Sequence, residues 1–268
     1  MTPSQPTAVK PRPPIDPRIR QRRVAIARTK GRRRLRWLAA ALAAAVALVA
    51  AIALLHTVLF SARVVSVSGA HPHTTTAAIV SAARLGAHPP LISVDPGPTA
   101  ARVEALPYIA SARVERHWPD GVTIAVTERV PVAVMAGPGA AWSVLDGDGR
   151  TLQVVAARPP GLLALAVTTP AGALVPGAVG RSLPADASAG LTVSRTLPPA
   201  FVAQVVSVTV AAAGTVSLGL SSGIAVLIGT ADDLTAKYED VAAIIAHGSL
   251  QGATTIDVTV PQSPTVAG

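Results

Sequence analysis

The sequence has no cysteine, few aromatic residues and almost no lysine beyond residue 36. Without cysteine, the chain forms no disulfide framework and no cysteine-ligated zinc site. We therefore expect ordinary apolar cores to hold its folded part, in one large domain or two small ones. The scarcity of lysine and aromatic residues, with abundant alanine, valine and proline, is typical of a GC-rich genome and indicates little about function.

Motifs that carry catalysis are scarce as well. The sequence has no Gly-rich phosphate loop, no Ser-x-x-Lys motif and no Cys/His zinc spacing. Residues 219–223 match Gly-x-Ser-x-Gly, which presents a nucleophilic serine where a strand turns sharply into a helix. Here a strand is predicted after Ser221, and no convincing acid and histidine follow in the expected order. The pattern therefore favours a hairpin turn.

Two short segments contain residues that ligate metals in other proteins. Asp146 and Asp148 resemble the start of a calcium loop, but the twelfth position is Ala157 instead of a bidentate glutamate. His71 and His73 have neither a carboxylate nor a third imidazole beside them. We expect a hairpin turn at the first segment, a solvated loop at the second, and no metal or cofactor.

Positive charge is concentrated at the start of the chain. Residues 1–36 hold twelve basic side chains and one acidic one, whereas the rest of the chain holds eleven basic and thirteen acidic ones. The folded part therefore lacks the basic surface of a nucleic-acid-binding protein. The proline-rich arm 1–36 has few large apolar residues, so we predict a disordered arm that sets membrane topology and lies beside the lipid bilayer.

An apolar run without charges follows the arm. Its core, residues 37–60, is long enough at about 1.5 Å per residue to cross a hydrocarbon layer of about 30 Å. A cleaved signal peptide is the alternative, but its apolar region normally has only about 7–15 residues after a short basic segment. We predict one transmembrane helix with a cytoplasmic N-terminus, because basic flanks stay inside. The chain after Arg63 is then extracytoplasmic.

The first exported segment, residues 61–130, has the pattern of a β-α-α-β-β domain. Residues 64–68 alternate as a strand, and helices are predicted over 75–85 and 99–106. Two alternating strands follow, joined by a tight turn at Asp120 and Gly121. Two helices that cover one face of a three-stranded sheet form a compact domain of this size.

Residues 131–262 are predicted to form a mostly antiparallel β domain. Short apolar strands alternate with Gly and Pro turns, and helices are expected at 188–196 and after Asp233. The late helix carries Tyr238 on its apolar face, and the terminal edge strand is expected over 254–260. Residues 263–268 are interpreted as a short tail. The predicted class of the chain is α+β.

The most distinctive motifs lie one hairpin apart. They are Arg116-x-Trp118-Pro119 and Glu128-Arg129-x-Pro131, between Leu-Ile-Ser-Val-Asp at 91–95 and Asp-x-x-Gly at 146–149. In this order the motifs resemble those of the FtsQ (DivIB) family of bacterial cell-division proteins, which are bitopic divisome scaffolds. The resemblance implies that 61–130 is a polypeptide-transport-associated (POTRA) domain and that 131–262 is the family's β domain.

The resemblance also implies partners. In the family, the last strand and the helix before it receive a short bitopic protein, FtsB or DivIC, together with FtsL. An edge strand suits this role, because its unpaired amides and carbonyls can accept a partner strand. The candidate partner-binding residues are Tyr238, Thr254, Thr255, Ile256, Asp257, Val258, Thr259 and Val260.

The predicted function is that of a non-enzymatic, single-pass scaffold in the inner (plasma) membrane at the division septum. It links the FtsB/DivIC-type and FtsL-type proteins to septal peptidoglycan synthesis, with no nucleic acid and no small-molecule substrate. The alternative is a membrane-anchored exported cell-wall hydrolase with Ser221 as its nucleophile.

Overall fold

A long helix, α1 (Pro17–Leu55), opens the part of the chain that the computed structural model describes. The structure describes the backbone of residues 17–247, 250, 252–261 and 263–268, and the side chains of these residues from 33 onward except that of residue 247. The helix begins at Pro17, 20 residues before the start predicted for the transmembrane segment at 37. Arginine, alanine and glutamine are good helix formers, and a helix already nucleated in the apolar run extends through them without a second nucleation cost. The rest of the predicted arm, residues 1–16, lies outside the described residues.

The segment Arg33–Leu55 of α1 is long and apolar enough to cross a membrane, and none of it is buried against the rest of the chain. Its 23 residues span about 34 Å. The helix ends at Leu55, earlier than the predicted 60, and a 3-10 turn covers Val58–Phe60. The Thr57 hydroxyl donates to the Leu54 carbonyl at 2.7 Å. This local bond competes with continuation of the helix.

The next domain confirms the predicted β-α-α-β-β order. It consists of β1 (Val64–Ser68), α2 (Thr76–Ala82), α3 (Pro96–Glu104), β2 (Ile109–His117) and β3 (Gly121–Glu128). β3 lies in the middle of the sheet, parallel to β1 and antiparallel to β2. Thr75 and Asp95 cap the two helices by accepting from the amides of Ala78 and Gly97. Ile79 of α2 and Val103 of α3 share one buried core with the strands.

A larger sheet forms the remainder of the fold. Its strands are β4 (Pro131–Ala136), β5 (Trp142–Asp146), β6 (Thr151–Val155), β7 (Leu163–Thr169), β8 (Gly172–Ala173), β9 (Val205–Val210), β10 (Val216–Leu220), β11 (Ala225–Gly229), β12 (Thr255–Asp257) and β13 (Thr265–Ala267). They lie in the order β13-β12-β11-β10-β9-β7-β4-β5-β6, with β8 beside β7. The sheet is mostly antiparallel, as predicted, with parallel pairs at β4–β7, β7–β9 and β11–β12.

Three helices accompany this sheet: α4 (Ser188–Thr196), α5 (Pro199–Val202) and α6 (Leu234–His247). α4 approaches the strands closely at Gly190. A Cβ there would come within 2.6 Å of Val210 Cγ2 and 2.7 Å of Leu165 Cδ1. The absence of a side chain at Gly190 therefore sets the distance between α4 and the pair β7–β9.

Arg129 and Tyr108 join the two sheets. Arg129 Nε donates to the Ile109 carbonyl at 3.2 Å, and its Nη1 reaches the Asp146 carboxylate at 2.7 Å. Tyr108 packs in an apolar cluster with Val134 of β4 and with residues of β5 and β6. The Glu-Arg-x-Pro motif thus fixes the boundary between the domains, as its sequence position indicates.

Candidate partner-binding edge

The C-terminal end of the large sheet is built by the unit β11–α6–β12. After β11 the chain returns through α6, and β12 then pairs with β11 in parallel. Ile256 and Val258 are fully buried in the core, whereas Thr255 and Asp257 are half-buried and Thr254, Thr259 and Val260 are exposed. The alternation predicted for 254–260 is therefore present, but regular pairing is limited to three residues. The Asp257 carboxylate accepts from the Thr259 amide at 2.9 Å, which turns the chain away from the sheet.

The outer side of β12 is occupied by the chain itself. β13 pairs antiparallel with it, with Thr255 opposite Ala267 and Asp257 opposite Thr265. The outermost strand is thus β13, in the segment interpreted from sequence as a tail. The prediction that β12 has an open side is wrong in this respect. The signal for β13 was a Thr-Val pair after Pro264, too short to distinguish from a loop.

β13 makes few contacts with the rest of the fold. Its three side chains are exposed, and Val266, the largest, is 49% exposed. It is held by backbone hydrogen bonds, among them one from the Thr254 amide to the Ala267 carbonyl at 2.9 Å. A strand held in this way can be replaced by another strand that offers the same backbone groups.

Tyr238 lies on α6 and faces the other helices. Its hydroxyl contacts Thr196 Oγ1 at 3.2 Å and the Val193 carbonyl at 3.4 Å, and its ring lies 6.2 Å from that of Phe201. Burial raises the pKa of Tyr238 above its ordinary value, more than the hydrogen bond with Thr196 lowers it. The contacts of Tyr238 are therefore with α4 and α5, whereas β12 pairs with β11 and β13.

A pocket of about 500 Å³ opens between α5 and α6, with Tyr238 in its wall. Its lining is mainly apolar and includes Pro198, Phe201 and Leu234, with Glu239 as the acidic member. The volume falls in the range that accepts a side chain or a small molecule.

Lys237, beside Tyr238, anchors the start of α6 and is almost completely buried. Its Nζ donates to the Thr230 carbonyl at 2.9 Å and to Asp232 Oδ1 at 2.7 Å. These bonds fix the turn between β11 and α6. The hydrogen bond from Lys237, followed by that from the Thr230 hydroxyl, lowers the pKa of Asp232 to about 2. The sequence marks this lysine only as the single one beyond residue 36.

The other candidate residues have structural contacts. Ser221 lies at the exposed tip of the β10–β11 hairpin and is followed by a strand, as predicted. Asp146 Oδ1 accepts from the amides of Asp148 and Arg150 at 2.9 and 2.8 Å, which is a hairpin turn. Among the residues that the structure describes, no group of three or more potential metal ligands comes together.

His73 is more ordered than the solvated loop predicted for it. Its ring stacks on Tyr108 at 4.6 Å, and its Nδ1 lies 3.0 Å from Glu128 Oε2. Burial raises the pKa of Glu128, but hydrogen bonds from Thr74 and from the backbone and ring of His73 outweigh it and hold that pKa below its usual range. The contact closes the 71–74 loop over the end of β3.

A family model described as "POTRA domain, FtsQ-type" matches residues 60–129, which comprise the three-stranded domain. The fold thus defines a POTRA-domain protein with a second, larger sheet. The chain is 34% identical to the cell division protein FtsQ of Mycolicibacterium smegmatis over 237 residues, covering 88% of this chain and 66% of that protein. It is 34% identical to FtsQ of Streptomyces collinus over 208 residues, covering 76% of each.

FtsQ of Mycobacterium tuberculosis strain H37Rv is 32% identical over 191 residues, which cover 70% of this chain and 55% of that protein. The chain belongs to the FtsQ family of cell division proteins. It spans just over half to two thirds of the length of these mycobacterial relatives.

Proposed function

We propose that the chain is a single-pass membrane protein of the divisome, with a cytoplasmic N-terminus and both sheet domains outside. The helix Arg33–Leu55 supports the crossing. The orientation follows from charge, because twelve of the 23 basic residues precede residue 37 and basic flanks remain on the cytoplasmic side. Membership of the FtsQ family supports placement at the division septum.

The exported part acts as a scaffold without catalysis and recruits short bitopic proteins of the FtsB/DivIC and FtsL type to septal peptidoglycan synthesis. Confinement to one membrane raises the effective concentration of such partners, so modest interfaces suffice. The alternative, a hydrolase with Ser221 as nucleophile, is disfavoured because β11 and not a helix follows this serine.

The partner strand adds beside β12 and displaces β13. The observation that carries this proposal is that β12 is covered by a three-residue strand whose side chains are exposed. Each new backbone hydrogen bond contributes a net stabilisation of about 1 kcal/mol, so a longer strand outcompetes β13. Thr255 and Asp257 then contact the partner, while Tyr238 acts as a positioning residue that holds α6 against α4.

The test is depletion of the native protein in its own cells with complementation by the full-length chain. The proposal expects the wild type and Ser221→Ala to restore division equally and to locate at mid-cell. The variant Asp257→Pro, which blocks pairing at β12, should locate at the septum but fail to recruit the bitopic partners. The control is Val154→Pro in β6, at the opposite edge of the sheet. Ile224→Pro is unsuitable as a control because Ile224 is buried in the core.

Loss of division with Ser221→Ala would contradict the scaffold and favour the hydrolase. Normal recruitment by Asp257→Pro would contradict the proposed edge. A chain distributed evenly around the membrane during division would contradict the septal role.

A further inference from the structure

The turn between β2 and β3 lies at the end of the POTRA sheet where the chain enters from α1. Val64, the first residue of β1, is opposite Gly121, the first residue of β3. His117, the last residue of β2, is opposite the same Gly121. Residues 118–120 therefore lie beside the entry point, and the end of β3 at Glu128 lies at the other end of the sheet.

The connection from α1 to this sheet is short. The helix ends at Leu55, and Ser61 and Ala62 are already buried in the domain. The Ala62 amide donates to the Pro89 carbonyl at 2.9 Å, and the Arg63 amide donates to the Asp120 carbonyl at 3.0 Å. Only residues 56–60 remain as a link, which spans at most about 18 Å even when extended. The turn at 118–120 is therefore held close to the end of the span.

Large apolar side chains are exposed at this end. Trp118 is 51% exposed, and its ring centroid lies 6.0 Å from that of Phe60. Val58 and Leu59, beside Phe60, are 71% and 67% exposed. Tryptophan is enriched at the membrane–water interface, where its ring enters the headgroup layer and its N–H stays hydrated.

Exposed arginines flank this apolar group. Arg63 follows Phe60 closely, and Arg116 precedes the turn, both with exposed side chains. Asp120, half-buried, is the acid of the turn. An apolar tip flanked by arginines suits a lipid surface, because the guanidinium groups reach phosphates while their stems cover apolar area.

We propose that Trp118, with Val58, Leu59 and Phe60, docks into the extracytoplasmic leaflet of the bilayer that α1 crosses. This contact fixes the angle of the POTRA domain to the membrane and directs the β domain away from it. The proposal rests on the membrane crossing in the proposed function. A lipid surface is favoured over a protein partner because the 56–60 link already holds this tip next to the bilayer.

The experiment uses the full chain in lipid nanodiscs and its three tryptophans, Trp37, Trp118 and Trp142. Replacing two of them with phenylalanine in turn gives three single-tryptophan proteins, whose emission is compared in lipids with and without brominated acyl chains. Trp118 should be quenched by bromine and protected from aqueous acrylamide. Trp142, which is half-buried in the β domain that follows the distal end of β3, should not be quenched by bromine.

Trp37, at the start of the apolar part of α1, distinguishes failure of the docking from failure of the membrane crossing. Bromine quenching of Trp37 without quenching of Trp118 overturns the docking and leaves the membrane crossing intact. Failure to quench Trp37 overturns the crossing and the docking together. If the tip at Trp118 binds a protein partner instead of lipid, Trp118 stays unquenched in nanodiscs. This result overturns the proposal as well.

A second measurement does not depend on tryptophan replacement. Because the chain has no cysteine, spin labels can be attached at Asp120→Cys and, as a matched control, at Ser68→Cys at the opposite end of the same sheet. Docking predicts that the Asp120 label is relaxed more by oxygen, which partitions into lipid, than by a polar agent, whereas the exposed Ser68 label should show the reverse. Equal accessibility of the two labels would overturn it.

Discussion

Removing residues 263–268 should strengthen partner binding, although it takes away a strand of the sheet. Ordering each of the three residues of β13 costs about 1–2 kcal/mol of backbone entropy. Against this cost stand a few backbone hydrogen bonds of about 1 kcal/mol each and the limited apolar burial of Val266, which is 49% exposed. The contributions nearly cancel, so pairing of β13 is favoured by no more than about 1 kcal/mol. At that limit about one molecule in six is open, and deletion raises affinity by at most about sixfold.

A disulfide between the same two strands should have the opposite effect. Thr255→Cys with Ala267→Cys introduces the only cysteines in the chain, at positions that face each other in β12 and β13. Opposed residues in an antiparallel pair have Cα atoms about 4.5–5.5 Å apart, within the range of a disulfide. Oxidation should abolish binding, and reduction of the same sample should restore it.

The assay is equilibrium binding of the full chain in nanodiscs to the purified bitopic partner of FtsB/DivIC type from the same organism. The reduced double variant is the control for the two substitutions. Weaker binding by the deletion variant, together with equal binding by the oxidised and reduced double variants, would mean that the partner adds outside β13 and would refute displacement of this strand.

Three further variants test the packing and electrostatics of the fold by thermal unfolding of the full chain in nanodiscs. Arg129→Met leaves the buried Asp146 carboxylate without its cation and should lower the free energy of unfolding by about 3 kcal/mol. Adding Asp146→Asn should recover part of this loss. An unchanged unfolding midpoint for the single variant would contradict the role of the ion pair. Gly190→Ala should cost about 1–3 kcal/mol by overpacking. Gly86→Ala is the control and should cost little stability, because no atom lies within 4 Å of the new Cβ. Equal losses of stability in Gly190→Ala and Gly86→Ala would be inconsistent with close packing at α4. The pKa of Asp232 is lowered to about 2, chiefly by the buried lysine of α6, so its stabilising effect is full above its ordinary value of 3.8 and is lost as pH falls toward 2. The midpoint difference between wild type and Asp232→Asn should therefore shrink over this window, and a constant difference would argue against the ion pair.

The POTRA domain could be predicted because its signals are local. Threonine and aspartate caps, helical spacing and the alternation around the β2–β3 turn each act within a few residues. Thr75 does cap α2, and both strands of the hairpin have the expected bounds within a few residues. The same reasoning located α4 and most strands of the large sheet.

The sequence pattern does not predict structural features that depend on residues far apart in the chain. The pairing of β13 with β12 is decided by where the chain turns at Asp257, and three residues carry no period. The Arg129–Asp146 ion pair needs the two domains to be assembled. The start of α1 at Pro17 reflects extension from an apolar helix, which composition of the arm alone does not reveal.

Site-specific photo-crosslinking in dividing cells tests the partner-binding edge directly. A crosslinker is placed at Thr255 or Asp257 beside β13, and at Val154 in β6, the strand at the opposite edge of the same sheet. We expect adducts with a small bitopic division protein from 255 and 257 and none from 154. Adducts from 154 alone, or from none of the three positions while the cells divide normally, would contradict strand addition at the C-terminal edge.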